Sequence, residues 1–327
     1  MKLGAIAALI AGLALAIFLV LHIGVGQVFD AVGRVGWSGF VLLCVAGFGV
    51  QIFVVSAWYA LLSPYGVRWR VLLLARQLRD SSSDLLPFTQ FGGMVIGARA
   101  AVLGGTRAPL AFASMVVDVT TELIGQIAFI VLGLLLGISE LRANAALAPY
   151  ANAMIIGVAL MVPAVTAFIL LQRRGTRLAE KLASRLLPAA VSHTEAFSAA
   201  LHGLYRKPLR LALSAVLHLT GWIASGIWIW LILRLVGVEV DVFSAIAFEA
   251  LLGALRSATV FIPSSIGVQE AGYAALAPVF GMGPEIGLAV SLLKRARDIA
   301  VGVPILLIWQ ALEGRRAFAR GKELEQP

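Results

Sequence analysis

Lys294, Arg295, Arg297 and Asp298 stand near the middle of an apolar run, 284–312, that is long enough to cross a bilayer. Asp118 and Glu122 hold the same depth in a second run, 109–138. An ionised side chain in hydrocarbon costs roughly 2.5–3.5 kcal/mol on insertion scales, so such groups face protein, water or a ligand. On a helix, positions 294, 297 and 298 lie within about 100° of one another. Two readings stay open. In one, the charges form a structural network: Lys294 pairs with Asp298 at i,i+4, and Asp118 and Glu122 take the arginines. In the other, the cations form a cradle for a lipid headgroup phosphate, which the planar fork of arginine fits. Asp118, Glu122 and Gln126 share one helix face; they are either a partner surface for the cationic run or carboxylates coupled to protons.

Two further constellations sit in short apolar segments interrupted by proline and glycine. The first, 70–105, carries Pro87, Gly92 and Gly93 after the polar stretch 79–84. The second, 243–283, carries Glu249, Arg256, Pro263, Ser264, Ser265, Gly267 and Glu270. Broken backbone at membrane depth requires cover from protein or a wet cavity. Amides at the start of a half-helix, with glycine allowing close approach, offer an anion site; the alternative is a plain turn. Arg256 is expected to pair with Glu249 or Glu270, because an unpaired guanidinium there is costly.

The elements that hold these residues follow from hydropathy. The 327-residue chain is 60% hydrophobic and 13% charged, with mean hydropathy +0.95. A soluble domain carries about 25% charged residues, so this is an integral membrane protein. Apolar runs at 3–23, 37–62, 109–138, 151–171, 209–236 and 284–312 read as six full spans. The segments 70–105 and 243–283 read as re-entrant hairpins, and 24–36 as a short interfacial helix. The expected fold is all-α and a single polytopic domain, with a first half 1–138, a cytoplasmic segment 172–208, a second half 209–312 and a basic tail 313–327. A hairpin with proline three or four residues before glycine (Pro87 to Gly92; Pro263 to Gly267) precedes a span with central charges in each half, a pattern resembling inverted repeats that points to a midplane site; the alternative is two unrelated breaks.

Net charge is +9, and the basic residues gather in loops 63–79, 172–208 and 313–327. That is the positive-inside pattern, with both termini cytoplasmic, and it implies affinity for anionic lipid rather than nucleic acid. The single cysteine, Cys44, excludes an internal disulfide. The four histidines have no ligand spacing, so neither metal nor cofactor is expected, and His218 reads as a packing residue. No phosphate loop, metalloprotease motif or nucleophile elbow is present, so no catalytic residue is assigned and the chain is not expected to be an enzyme; the alternatives are a lipid-modifying enzyme using Asp118 or Glu122 as acid or base, and a non-catalytic scaffold for lipid-synthesis enzymes.

Several of these pieces resemble a known family. Arg79-Asp80 through Leu85-Leu-Pro-Phe-Thr-Gln-Phe-Gly-Gly93, Asp118 with Glu122, and Ile262-Pro-Ser-Ser-Ile-Gly-Val-Gln-Glu-Ala-Gly-Tyr273 resemble the flippase-like transmembrane region of lysylphosphatidylglycerol synthases. Ser291-Leu-Leu-Lys-Arg-Ala-Arg-Asp298 and Trp309-Gln-Ala-Leu-Glu-Gly-Arg-Arg316 look like the hopanoid-associated, HpnL-type branch. The resemblance implies a bacterial inner-membrane protein that handles lipids: hopanoids, phospholipids or other anionic lipids, alongside lipid-biosynthesis enzymes. The chain stops soon after its last span, so lysine transfer by a following soluble domain is not expected of it.

Overall fold

The computed structural model describes residues 25–86, 90–143, 191–258 and 265–324, with isolated positions between 156 and 170. Among the described residues there are helices and turns and no strand. The expected spans at 3–23 and 151–171 therefore lie outside the described residues, apart from those isolated positions. So do Pro87, Pro263 and Ser264.

The helices are α1 Val25–Gly33, α2 Gly36–Leu62, α3 Trp69–Leu85, α4 Gln90–Leu103, α5 Ala108–Ala143, α6 Val191–Tyr205, α7 Pro208–Val236, α8 Val242–Ala258, α9 Val268–Leu276 and α10 Pro284–Leu324. Among the described residues, three helical stretches are long and apolar enough to cross a membrane: Val32–Tyr65, Ala108–Gly137 and Pro208–Val236. The other described helices are shorter or carry charge. At 1.5 Å per residue, α3 is about 26 Å long and α9 about 14 Å, against roughly 30 Å of hydrocarbon. α10 runs unbroken through Pro304 to Leu324, well past the expected end at 312. α5 likewise continues to Ala143, into the expected loop.

α3 and α4 form one helical hairpin, α8 and α9 a second. Their open ends lie at opposite ends of the bundle. α2 and α7 are antiparallel: Arg210 donates to Ser63 at one end (2.6 Å), and Trp228 donates to the Leu43 carbonyl near the other (2.9 Å). The α2–α3 turn therefore shares an end with the start of α7, and the α7–α8 turn lies at the opposite end. α10 starts at that opposite end and packs along both hairpins.

Small residues set the helix spacing, as they do where no water drives association. Gly125 on α5 faces His218 and the Ala215 carbonyl of α7, where an added Cβ would lie 2.9 and 3.0 Å away. Gly287 on α10 lies against the Tyr273 carbonyl of α9, and Gly302 against Ser81 and Leu85 of α3.

The polar stretch 79–84 is helical, and α3 continues to Leu85. Ser83 Oγ donates to the Arg79 carbonyl one turn back at 2.9 Å, which satisfies the hydroxyl inside the helix. Ser81 and Ser82 are buried, Ser81 against α10.

Candidate functional site

Two charged networks lie side by side at the middle of the bundle. The first joins α3, α5 and α7. Arg76 Nη1 and Nη2 donate to Asp118 Oδ2 (3.0 Å) and Glu122 Oε1 (2.6 Å), while its Nε donates to Asp80 Oδ2 (3.0 Å). Arg79 donates to the same two acids, at 3.2 Å to Asp118 Oδ2 and 2.7 Å to Glu122 Oε2. His218 Nε2 lies 3.0 Å from Asp118 Oδ1. Asp118 is fully buried, and Arg76, Arg79 and His218 are nearly so. The spacing explains the fit. Arg76 and Arg79 are three apart on α3, and Asp118 and Glu122 four apart on α5, so each pair presents one face. Two forks then meet two carboxylates, the geometry that makes guanidinium–carboxylate pairs strong.

The second network joins α8, α9 and α10. Lys294 Nζ lies 2.7 Å from Glu249 Oε1 and 2.7 Å from Tyr273 Oη, and Tyr273 donates to Glu249 Oε2 at 2.6 Å. Glu270 accepts from Arg295 Nε at 2.5 Å and from the Gly267 amide at 2.7 Å. Gly267 has φ +82°, which a side chain would strain, and it caps the first turn of α9. Ser265, with φ +46°, precedes it in the turn. The start of the half-helix is thus occupied by the chain's own carboxylate.

Arg297 stands apart from these tight pairs. Its Nη1 donates to neighbouring Asp298 at 3.0 Å, its guanidinium lies 5.6 Å from the Trp228 ring, and its buried Nε has no hydrogen-bond partner. It crosses α2 at Gly47, where an added Cβ would come within 3.0 Å of Nε. Asp84 of α3 and Arg256 of α8 interact electrostatically with each other and with Asp298, and Asp84 also with Arg295. α3 is therefore shared: Arg76 and Arg79 face the first network, and Asp84 faces the second.

The geometry sorts the sequence expectations. Asp118 and Glu122 do take arginines, but those of α3, not of α10. Lys294 does not pair with Asp298; it reaches across to Glu249, because Tyr273 completes a three-way contact there. Gln126 leaves the acidic stripe and its Nε2 lies 3.4 Å from the Gly253 carbonyl of α8. Lys294, Arg295, Arg297 and Arg256 do converge, though each stands against acid rather than in an open cationic cradle. Gly92 and Gly93 open α4 and pack it on α3, with Gly93 against Ser83 and the Arg79 carbonyl. Among the described residues no group of His, Cys, Asp and Glu is arranged to hold a metal ion.

Sequence reasoning gave no site role to Arg76, and quoted Arg79, Asp80 and Tyr273 only for the family resemblance. The signal for Arg76 was present, since it interrupts an apolar run. His218 was set aside as packing; it is buried, and its ring is bonded to Asp118.

The sequence profile of one family, described as lysylphosphatidylglycerol synthase TM region, matches residues 5–305. No curated protein and no solved structure matches the chain.

Proposed function

The chain belongs to the lysylphosphatidylglycerol synthase TM-region family, and on that premise we propose that it moves lipids across, or hands them within, the bacterial inner membrane. In this reading the hairpins α3–α4 and α8–α9 are re-entrant, both termini are cytoplasmic, and the whole chain acts as one unit rather than as an enzyme. A polar headgroup enters between the hairpins while its tails stay in lipid. Arg297, Arg295, Arg256 and Lys294 exchange carboxylate partners for headgroup phosphate. The observation that supports the reading is the meeting of two oppositely opening helical hairpins on one charged stretch of α10, an arrangement like the paired broken helices that hold cargo in transporters.

The exchange is energetically plausible only if pairs are traded rather than broken. Breaking a buried pair costs about 3–5 kcal/mol, because the remaining charge stays desolvated. A phosphate that replaces Asp298 on Arg297 avoids that cost. Arg297 is the first contact in this scheme because its Nε is unpartnered and Asp298 is partly exposed.

The lipid proposed is a hopanoid derivative or an anionic phospholipid, following the HpnL-like branch that the motifs resemble; lipid-synthesis enzymes are the proposed neighbours. The test is reconstitution of the full chain in vesicles with headgroup-labelled phospholipid and measurement of label accessible to an impermeant quencher. Faster exposure of inner-leaflet label than in empty vesicles, lost in Arg297→Ala, is expected. Rates equal to empty vesicles across phosphatidylglycerol, phosphatidylethanolamine and hopanoid probes would remove the proposal. A chemically altered lipid product would replace it with an enzymatic one.

A further inference from the structure

Arg297 Nε on α10, Gln51 Oε1 on α2 and Gln77 Oε1 on α3 are buried and have no hydrogen-bond partner. All three border the seam where those helices meet. Arg297 crosses α2 at Gly47, and Gly302 of α10 lies against Ser81 and Leu85 of α3. Gln51 follows Gly47 by one turn, on the same face of α2. Its Nε2 donates to Asp80 Oδ2 of α3 at 3.1 Å, which fixes the end of the amide that carries the oxygen. Gln77 is placed by its neighbours on α3. On a 3.6-residue helix it stands about 60° from Asp80, which faces α2, and about 40° to the other side from Ser81, which faces α10. Its side chain therefore belongs to the junction of the two, and it is 5% exposed.

The three atoms form a ladder. Asp84, which interacts with Asp298 beside Arg297, marks one end on α3. Gln77 lies seven residues back, roughly 10 Å along the helix axis. Asp80, with Gln51 bonded to it, stands between. The ladder runs toward the end of the bundle that holds the α2–α3 turn. Two turns further on the same face of α3 is Arg70, which is exposed. The seam is partly open along its length, since the side chains of Asp80 and Asp298 keep 25% and 26% of their surface. Buried polar atoms are almost always hydrogen-bonded, so three orphans on one seam point to a ligand. Their chemistry is divided. Arg297 Nε donates, with Nη1 already held by Asp298 at 3.0 Å. The two glutamine oxygens only accept. A ligand that satisfies all three carries an oxyanion at one end and a hydrogen-bond donor at the other.

We propose that the seam between α2, α3 and α10 binds a phospholipid headgroup whose phosphate meets Arg297 and whose terminal hydroxyl or ammonium group donates to Gln51 and Gln77, and that this seam is the route by which the headgroup reaches Arg297, with Arg70 at its mouth. The second clause rests on the lipid-movement reading above; the first does not. Gln51 and Gln77 then set specificity. Glycerol and ethanolamine headgroups carry O–H or N–H donors. Choline carries neither and leaves both amide oxygens unpaired, and a site built to hydrogen-bond a donor rejects the analogue that lacks it.

Two measurements on the full chain separate the clauses. The first is native mass spectrometry in detergent, with phosphatidylglycerol, phosphatidylethanolamine or phosphatidylcholine added singly. The parent is expected to retain a donor-bearing lipid several-fold more than phosphatidylcholine, and Gln77→Met to lose that preference while its unfolding midpoint stays at or above the parent's, since an orphan oxygen is removed. Retention of phosphatidylglycerol alone identifies the donor as hydroxyl, and of phosphatidylethanolamine alone as ammonium; either supports the site. Equal retention of the three lipids, or a preference unchanged in Gln77→Met, leaves the seam to water and overturns it. Should Gln77→Met fail to fold, Gln77→Leu and Gln51→Met carry the same comparison. The second measurement uses vesicles holding acyl-labelled forms of the three lipids and an impermeant quencher. The donor-bearing lipids retained in the first measurement are expected to cross several-fold faster than phosphatidylcholine in the parent, and at its rate in Gln77→Met. Movement of all three at one rate in the parent overturns the route. Absence of any lipid movement overturns the lipid-movement reading, while the retention spectra still decide the site.

Discussion

Lys294 on α10 and Glu249 on α8 are joined at 2.7 Å, with Tyr273 Oη bonded to both. Each side chain is buried. The pair ties the last helix to the second hairpin, and its value depends on both members being present. Removing one leaves the other charged in a dry site, at about 3–5 kcal/mol. Lys294→Met is therefore expected to lower thermal stability sharply, and Lys294→Met with Glu249→Leu to recover much of it. Equal losses in the single and double variants, measured by thermal unfolding of purified protein, would show that the pair does not act as a unit.

Arg79 holds Asp118 and Glu122 together with two nitrogens of one fork. A lysine reaches one acceptor at a time and has no such fork. Arg79→Lys is expected to cost about 1.5–3 kcal/mol, the scale of a hydrogen bond to a charged group. Unfolding midpoints in detergent decide it; a variant as stable as the parent would contradict the two-fork arrangement.

Gly47 gives Arg297 its place against α2. The nearest atoms to an added Cβ belong to the mobile guanidinium, so Gly47→Ala is expected to be tolerated. Gly47→Leu is expected to displace Arg297 from the Trp228 ring and to reduce headgroup exposure in vesicles at least tenfold, about 1.4 kcal/mol in barrier, while the protein still folds. Headgroup exposure at the parent rate in Gly47→Leu would remove Arg297 from the path.

Asp241, in the turn before α8, gives a pH prediction outside the membrane. Its carboxylate accepts from the Ser244 hydroxyl and amide and from the Phe243 amide, and these bonds hold its pKa below the ordinary aspartate value. The stabilisation is present above the unfolded pKa of about 3.9 and is lost as pH falls through the lower folded value. Asp241→Ala is expected to cost about 1 kcal/mol at neutral pH, as for other helix caps. The difference between variant and parent is expected to shrink in acid; a gap that stays constant down to pH 2 would contradict the cap.

Much of this was legible in the sequence because charge in an apolar run is rare. The convergence of Lys294, Arg295, Arg297 and Arg256 follows from that rule, and so do Asp118 and Glu122. That 70–105 and 243–283 each hold a pair of helices was visible in their paired breaks. Partner choice was not legible. Whether Lys294 bonds Asp298 four residues on or Glu249 across the bundle depends on how α8 and α9 lie on α10, which no local spacing encodes. Arg76 and Arg79 were given no site role because the polar stretch 79–84 read as part of the break at 70–105; it is helical, with Ser81 and Ser82 buried. His218 was read as a packing residue; it is buried, and its ring is bonded to Asp118, a contact that no local spacing encodes.

The order of synthesis gives the α8–α9 hairpin a particular dependence. Glu249, Glu270 and Tyr273 leave the ribosome before the side chains on α10 that satisfy them. Until Pro284–Leu324 follows, Glu249 and Glu270 lack the Lys294 and Arg295 that they bond in the finished fold. The final helix is thus a clasp that completes assembly, and nascent chains that end before it should be cleared by quality control.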